Sequence, residues 1–130
     1  MDEKIKGTAL PSTAALAFLG DARHTLYIRS MLVEGGISKS GELNRLSQSY
    51  VNAEAQAEAY RTLEPLLTEE ERDVFRRAAN SHHLAKPKNA TVADYRHATG
   101  LEAVIGMLAH LGREERIVEL LDRAYKNNED

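Results

Sequence analysis

Nowhere in this chain do β-branched and polar residues alternate over the length of a strand. Apolar residues instead recur at three- and four-residue spacings, in segments that open on Ser, Thr or Asn and close on Gly or Pro. That punctuation predicts an all-α, single-domain helical bundle. Ser12, just after Pro11, is placed to cap a helix in which Ala15, Leu19, Ala22 and Leu26 recur until Gly35-Gly36 stops it. A short helix over Gly41 to Ser49 follows, then an Ala- and Glu-rich one from Asn52 to Leu63 that ends near Pro65. Thr68-Glu69-Glu70-Glu71 fits a capping box, with three carboxylates suited to the positive end of the helix dipole. From Asn80 to Ala90 the sequence N-S-H-H-L-A-K-P-K-N-A has no period and contains a proline, so an exposed loop is expected. Thr91 with Asp94 suggests a second capping box, opening the helix that carries Tyr95, Leu101, Val104, Ile105 and Leu108. A last helix begins near Gly112. These six helices can enclose one core, so residues 1–130 read as one domain with disorder expected at about 1–10 and 126–130.

Composition removes several kinds of chemistry. Without cysteine there is no disulfide framework, thiol nucleophile or thiolate metal site, so any metal here needs oxygen or imidazole ligands. The apolar runs are too short to span a membrane, and M-D-E-K-I-K is no signal peptide, which predicts a cytoplasmic protein with no membrane partner. The serines lack a nucleophile elbow, no phosphate-cradling glycine loop is present, and the loop pair His82-His83 has no acid after it to complete a metal site.

The formal net charge of −3 argues against a nucleic-acid partner at first sight. Its distribution does not. Between Arg76 and His97, the cations Arg76, Arg77, Lys86, Lys88 and Arg96 face only Asp94, a formal +4 against −7 for the rest. Asn80, Tyr95, His82, His83 and His97 add potential polar contacts. Such a strip can meet phosphates although the whole chain is acidic; the alternative is an ordinary solvated loop.

Two acids stand out by their surroundings: Asp21 in A-L-A-F-L-G-D-A and Glu102 in A-T-G-L-E-A-V-I-G, both on apolar helices. Burying an isolated carboxylate costs several kcal/mol, so each needs a partner. Gly20, Gly100 and Gly106 interrupt the same helices, where each costs about 1 kcal/mol relative to Ala and marks a place where something approaches closely. Ala14, Ala17 and Asp21 share a face, as do Glu102 and Gly106. Two such helices can cross closely and join their carboxylates in a site for a hard cation such as Mg²⁺. The alternative is that each acid pairs with a nearby Arg or caps a neighbouring helix.

At A-L-A-F-L-G-D-A-R-H-T-L-Y-I-R and Y-R-H-A-T-G-L-E-A-V-I-G-M-L the sequence resembles the ribonuclease III family, with its G-D-A helix and later E-A-x-I-G helix. It is most like the compact bacterial branch, Mini-ribonuclease III, which has the catalytic domain but no double-stranded-RNA-binding domain. Y-V-N-A-E-A-Q-A, L-T-E-E-E-R and Y-R-x-A-T-G fall in the family's order. The resemblance implies metal-dependent hydrolysis of double-stranded RNA by a homodimer, leaving 5′-phosphate and 3′-hydroxyl ends, with precursor 23S ribosomal RNA as substrate. Carried over motif by motif, Asp21 and Glu102 become the catalytic residues that hold Mg²⁺, or Mn²⁺ in its place. Arg76, Arg77, Asn80, Lys86, Lys88 and Arg96 become the RNA-binding set.

Full-length members have further acids where this chain has Ala17 and Thr99, which implies fewer protein ligands, more metal-bound water and a need for millimolar metal. In place of the family's R-x-G-R-N-A-K this chain reads Arg76-Arg77-Ala78-Ala79-Asn80-Ser81-His82, with Lys86 and Lys88 as compensation. The alternative function is a non-catalytic duplex-RNA or ribosome-binding module of the same fold, and a third is a helical interaction protein without an RNA role.

Overall fold

The computed structural model describes residues 9–81 and 90–126. Among them are six α-helices and no strand: α1 Thr13–Glu34, α2 Ser40–Val51, α3 Ala53–Leu63, α4 Glu69–Ala79, α5 Val92–His110 and α6 Glu114–Tyr125, with a 3-10 turn at Glu64–Leu66. The ends read from sequence as disordered lie almost wholly outside the described residues, as do His82, His83, Lys86 and Lys88 in the basic loop.

Local chemistry sets the boundaries. The Ser12 hydroxyl accepts from the Ala15 amide at 3.1 Å, satisfying one of the orphan donors at the start of α1. At its end the Ile37 amide reaches back to the Leu32 carbonyl at 3.3 Å around Gly36, whose φ of 95° places it in the left-handed region. A single residue separates α2 from α3. There Asn52 accepts from the Ala55 amide at 2.8 Å and donates to the Gln48 carbonyl at 2.9 Å, ending one helix and starting the next. The capping box at Thr68 and Glu71 is complete. The one expected at Thr91 is only half made: Thr91 accepts from the Asp94 amide, while the Asp94 carboxylate turns to Arg61 at 3.7 Å. The turn around Gly112 (φ 75°) carries the chain to α6, which starts at Glu114 rather than at the glycine.

Helix α5 is the axis of the bundle. Ala98, Gly100, Leu101 and every residue from Ala103 to Leu108 are buried, because α1, α3, α4 and α6 pack around it. Leu16 of α1, Leu63 of α3, Val74 of α4 and Ile117 and Leu121 of α6 complete the core. Glu71, also buried, is held by Arg116, whose Nη2 lies 2.8 Å from Oε1 while it also donates to the Leu66 carbonyl at 2.9 Å. Burial would raise the Glu71 pKa, but the Arg116 and Thr68 hydrogen bonds keep it below the usual carboxylate range.

The helix α1 stripe named from sequence faces outward. Leu19 and Leu26 are exposed, as are Ala15 and Ala22, while the core face is Leu16, Ala17, Gly20, His24, Ile28 and Leu32. Both faces are apolar, so helical periodicity alone cannot say which points inward. Ala15, Phe18, Leu19, Ala22, Leu26 and Val33 fall within about 100° of arc on the outer side. Phe18 is 83% exposed there. No helix among the described residues is long and apolar enough to cross a membrane.

Candidate active site

Gly20 and Gly106 decide where the two singled-out acids meet. A Cβ on Gly20 would lie 1.7 Å from the Glu102 carbonyl oxygen, and one on Gly106 would lie 1.8 Å from the Leu16 carbonyl oxygen. Neither distance is possible for a real side chain, so α1 and α5 touch backbone to backbone, as the glycines had suggested. Gly100 serves a different contact, lying against the ring of Phe75. Asp21 directly follows Gly20, and Glu102 stands one turn before Gly106. The crossing therefore brings one carboxyl group from each helix to the same place, close enough for Asp21 to act on the Glu102 carboxyl group.

Their environments differ from the sequence expectation that both are buried. Asp21 sits at the edge of the inward face of α1 and is exposed; Glu102 is half-buried. Burial, then the hydrogen bond and like-charge repulsion from Asp21, push the Glu102 carboxyl up to about 8, against a lowering by a hydrogen bond from Gln56. Among the described residues neither acid has a salt-bridge partner: Arg23, two positions after Asp21, is engaged by Glu114 instead. Among the described residues neither acid caps a helix.

Two adjacent carboxyl groups with no cationic side chain against them among the described residues form an oxygen donor set that a hard divalent cation fits. No group of three or more His, Asp or Glu side chains converges among the described residues. A cation here would take two protein carboxylates and complete its shell with water or phosphate oxygens. Ala17, one turn before Asp21, is packed into the core, and Thr99 is half-buried, so neither position offers a carboxylate.

The candidate RNA-binding residues divide. Arg76, Asn80 and Arg96 line one cleft of about 400 Å³ between α4 and α5, together with Phe75, Val92 and His97. Arg77 points elsewhere, paired with Asp73 at 3.2 Å. Lys86 and Lys88 lie outside the described residues. The His97 ring packs against Tyr60 and Phe75, with centroids 5.1 and 6.0 Å away, so it belongs to the floor of the cleft rather than to a row of surface donors.

Residues 14–111 match the Ribonuclease III domain family. The chain belongs to the ribonuclease III family. Within it the chain falls in the compact branch, being 41% identical over 124 residues to the Mini-ribonuclease 3 of Brevibacillus brevis, across 95% of this chain and 92% of the relative. It is 42% identical over 109 residues to the Mini-ribonuclease 3 of Symbiobacterium thermophilum, across 84% of each. A crystal structure of a Fusobacterium nucleatum protein superimposes with a TM-score of 0.82 at 36% identity, covering 88% of this chain and 93% of that one.

In this ribonuclease III chain the sequence reading passed over the residues behind Glu102. Gln56 of α3, 3% exposed, lies with its Nε2 3.3 Å from Glu102 Oε2 and 3.1 Å from His24 Nδ1. His24 Nε2 is 2.7 Å from the Tyr125 hydroxyl at the end of α6. Burial above all pulls His24 down to about 4, so the ring is neutral. A sequence signal existed: His24 continues the four-residue series Leu16, Gly20, Ile28, Leu32, and Gln56 lies on the same buried face as Ala59 and Leu63. A polar residue at core spacing needs a buried partner.

Proposed function

We propose that this chain is an endoribonuclease that hydrolyses double-stranded RNA using a divalent cation, Mg²⁺ or in its place Mn²⁺, held by Asp21 and Glu102. The observation that carries this reading is the pair of carboxyl groups joined across the Gly20 and Gly106 contact, with no cationic side chain on either among the described residues. Similarity to Mini-ribonuclease 3 proteins over nearly the whole chain supports ribonuclease chemistry. When bound, such an ion supplies a Lewis acid and lowers the pKa of attached water.

The chain's own contribution is placement. Backbone contact between α1 and α5 fixes the two carboxylates, and hydrolysis needs no protein nucleophile. Burial and then Asp21 disfavour the ionised form of Glu102, and a divalent cation held by Asp21 and Glu102 would favour it, so metal uptake would be coupled to loss of a proton from Glu102. Arg76, Asn80 and Arg96 give the cleft phosphate- and sugar-binding groups without a base-reading element, which suits a duplex recognised through its backbone and 2′-hydroxyls. The sequence adds Lys86 and Lys88 to the same basic stretch, outside the described residues.

The same proposal includes a homodimer acting in the cytoplasm on precursor 23S ribosomal RNA, one active centre per strand. Its support is the cluster of exposed apolar residues Phe18, Leu19 and Leu26 on the outer arc of α1, which Arg29 separates from Val33, since exposed apolar clusters mark interaction surfaces. The test is incubation of the purified protein with labelled duplex RNA in Mg²⁺ and in EDTA. Metal-dependent cleavage leaving 5′-phosphate ends is expected. A mobility shift without cleavage would select the binding-module reading instead.

A further inference from the structure

Four helices contribute to one line of polar groups running from half-buried to buried: Glu102 from α5, Gln56 from α3, His24 from α1 and Tyr125 from α6. Gln56 and His24 are almost wholly inaccessible, and buried polar groups persist where their hydrogen bonds are made. The Gln56 amide nitrogen donates to the Glu102 carboxyl oxygen. That nitrogen has a second hydrogen, which the His24 tautomer with an unprotonated Nδ1 accepts. Turning the amide over would put its carbonyl oxygen against Glu102 Oε2 and His24 Nδ1. With Nδ1 accepting, the His24 proton sits on Nε2 and is donated to the Tyr125 hydroxyl at 2.7 Å.

Tyr125 is itself held in place. Its ring stacks on His24 with centroids 5.6 Å apart and meets the edge of Tyr50 at 5.7 Å. These contacts seat the His24 ring, and against it the Gln56 amide. From it, one hydrogen bond reaches the inner oxygen of Glu102 while Asp21 meets the same carboxyl group from the solvent side. Among the described residues, Gln56 and Asp21 are the two side chains that meet the Glu102 carboxyl group.

We propose that Gln56 is a positioning residue for Glu102: seated by His24 and Tyr125, it orients the carboxylate toward Asp21 and so sets the affinity of the pair for a divalent cation. This rests on the reading that Asp21 and Glu102 hold that cation. Gln56 touches neither RNA nor metal in this scheme. Its effect passes through one hydrogen bond that favours the ionised acid and fixes its rotamer. Outer partners of metal ligands commonly govern affinity or activity by about 10- to 100-fold.

The experiment is calorimetric titration of the intact protein with Mn²⁺ alone, beside the Mg²⁺ midpoint for duplex cleavage and the duplex affinity in EDTA. Gln56→Met keeps the side-chain length and removes the donor. It is expected to weaken Mn²⁺ binding by about 10- to 100-fold and to raise the Mg²⁺ midpoint by a similar factor. Duplex affinity in EDTA should stay unchanged, with most of kcat recovered at saturating Mg²⁺. A folded Gln56→Met protein with wild-type Mn²⁺ affinity and Mg²⁺ midpoint overturns the proposal, since a merely structural amide would alter melting temperature and not metal affinity. If Gln56→Met does not fold, Tyr125→Phe carries the test: it keeps the ring contacts, removes the acceptor for His24, and is expected to shift the midpoint in the same direction by less, an unchanged midpoint overturning the proposal. Glu102→Gln in the same titration separates the two ideas. If it leaves Mn²⁺ binding intact, the metal assignment itself fails; if it abolishes binding while Gln56→Met does not weaken it, only the positioning role fails.

Discussion

Adding one methyl group at Gly106 tests the geometry on which the site depends. The Cβ of Gly106→Ala would stand 1.8 Å from the Leu16 carbonyl oxygen, where ordinary contact begins at 3.4 Å, so α1 and α5 must separate by about 1.6 Å. The obstructing atom is backbone, which has no rotamer to yield. Overpacking of a core costs about 1–3 kcal/mol and occasionally more, and a gap of even 0.5–1 Å forfeits roughly a quarter to a half of each dispersion contact along the seam. Against this, replacing a mid-helix glycine returns about 1 kcal/mol of helix propensity. Because the obstructing atom is backbone, the upper end of that cost applies and a net loss of about 2 kcal/mol follows, which for a domain of this size lowers Tm by roughly 5–10 °C. Activity should suffer more than stability, because Asp21 and Glu102 ride on the two displaced helices, and a misplacement of about 1 Å can cost about 100-fold in rate. The assay is a melting curve together with cleavage of labelled duplex RNA at a temperature where circular dichroism finds the variant folded. Gly41→Ala is the control, since nothing lies within 4 Å of its added Cβ. If Gly106→Ala melts and cleaves as the wild type does, the close crossing is not what places the acids.

Three other outcomes follow from the same geometry. In metal-free protein, Glu102 keeps a proton between its ordinary 4.5 and about 8, which makes stability fall as pH rises through that window, whereas His24, lowered from 6.5 to about 4, makes stability fall as pH drops through its own. The slopes oppose one another up to pH 6.5. Above it Glu102 acts alone, so about 2 kcal/mol should be lost by pH 8 in EDTA, read as a falling Tm that Glu102→Gln flattens; a level wild-type profile would contradict this. Arg76→Ala and Arg96→Ala should each weaken duplex binding and reduce the slope of log affinity against log salt by about 0.7–0.9, while Arg77→Ala, already paired with Asp73, changes it less; equal slopes for all three would show that the cleft is not the phosphate contact. Leu26→Glu, at a position 57% exposed in the single chain, should leave folding intact and shift sedimentation from dimer to monomer, and an unaltered dimer would place the interface elsewhere.

Much of this molecule is legible in its sequence because its information is local. Caps at Ser12, Asn52 and Thr68 and the stop at Gly35-Gly36 depend on residues three or four positions apart, and the six helices follow from them. The apposition of Asp21 and Glu102 was also readable, because glycine beside each acid tells of a close neighbour. Other features depend on what lies across the core. Periodicity selected the outer stripe of α1, since Leu19 and Leu26 are as apolar as Leu16 and Ile28, and only the packing of α5 tells the faces apart. Asp21 is exposed because it sits at the rim of that packing. Gln56, His24 and Tyr125 are separated by as much as 101 residues, and no spacing rule joins them. The Asp94 carboxylate left its local cap for Arg61 on another helix for the same kind of reason.

The central claim is that Asp21 and Glu102 together hold the cation that makes this fold a nuclease. Its most direct test compares cleavage of a labelled RNA duplex in saturating Mg²⁺ by the wild type, Asp21→Asn and Glu102→Gln, with folding checked by melting and duplex affinity measured in EDTA. Both variants should fold and bind the duplex as the wild type does while cleavage falls below detection. Normal Mg²⁺-dependent cleavage by either one would contradict the claim.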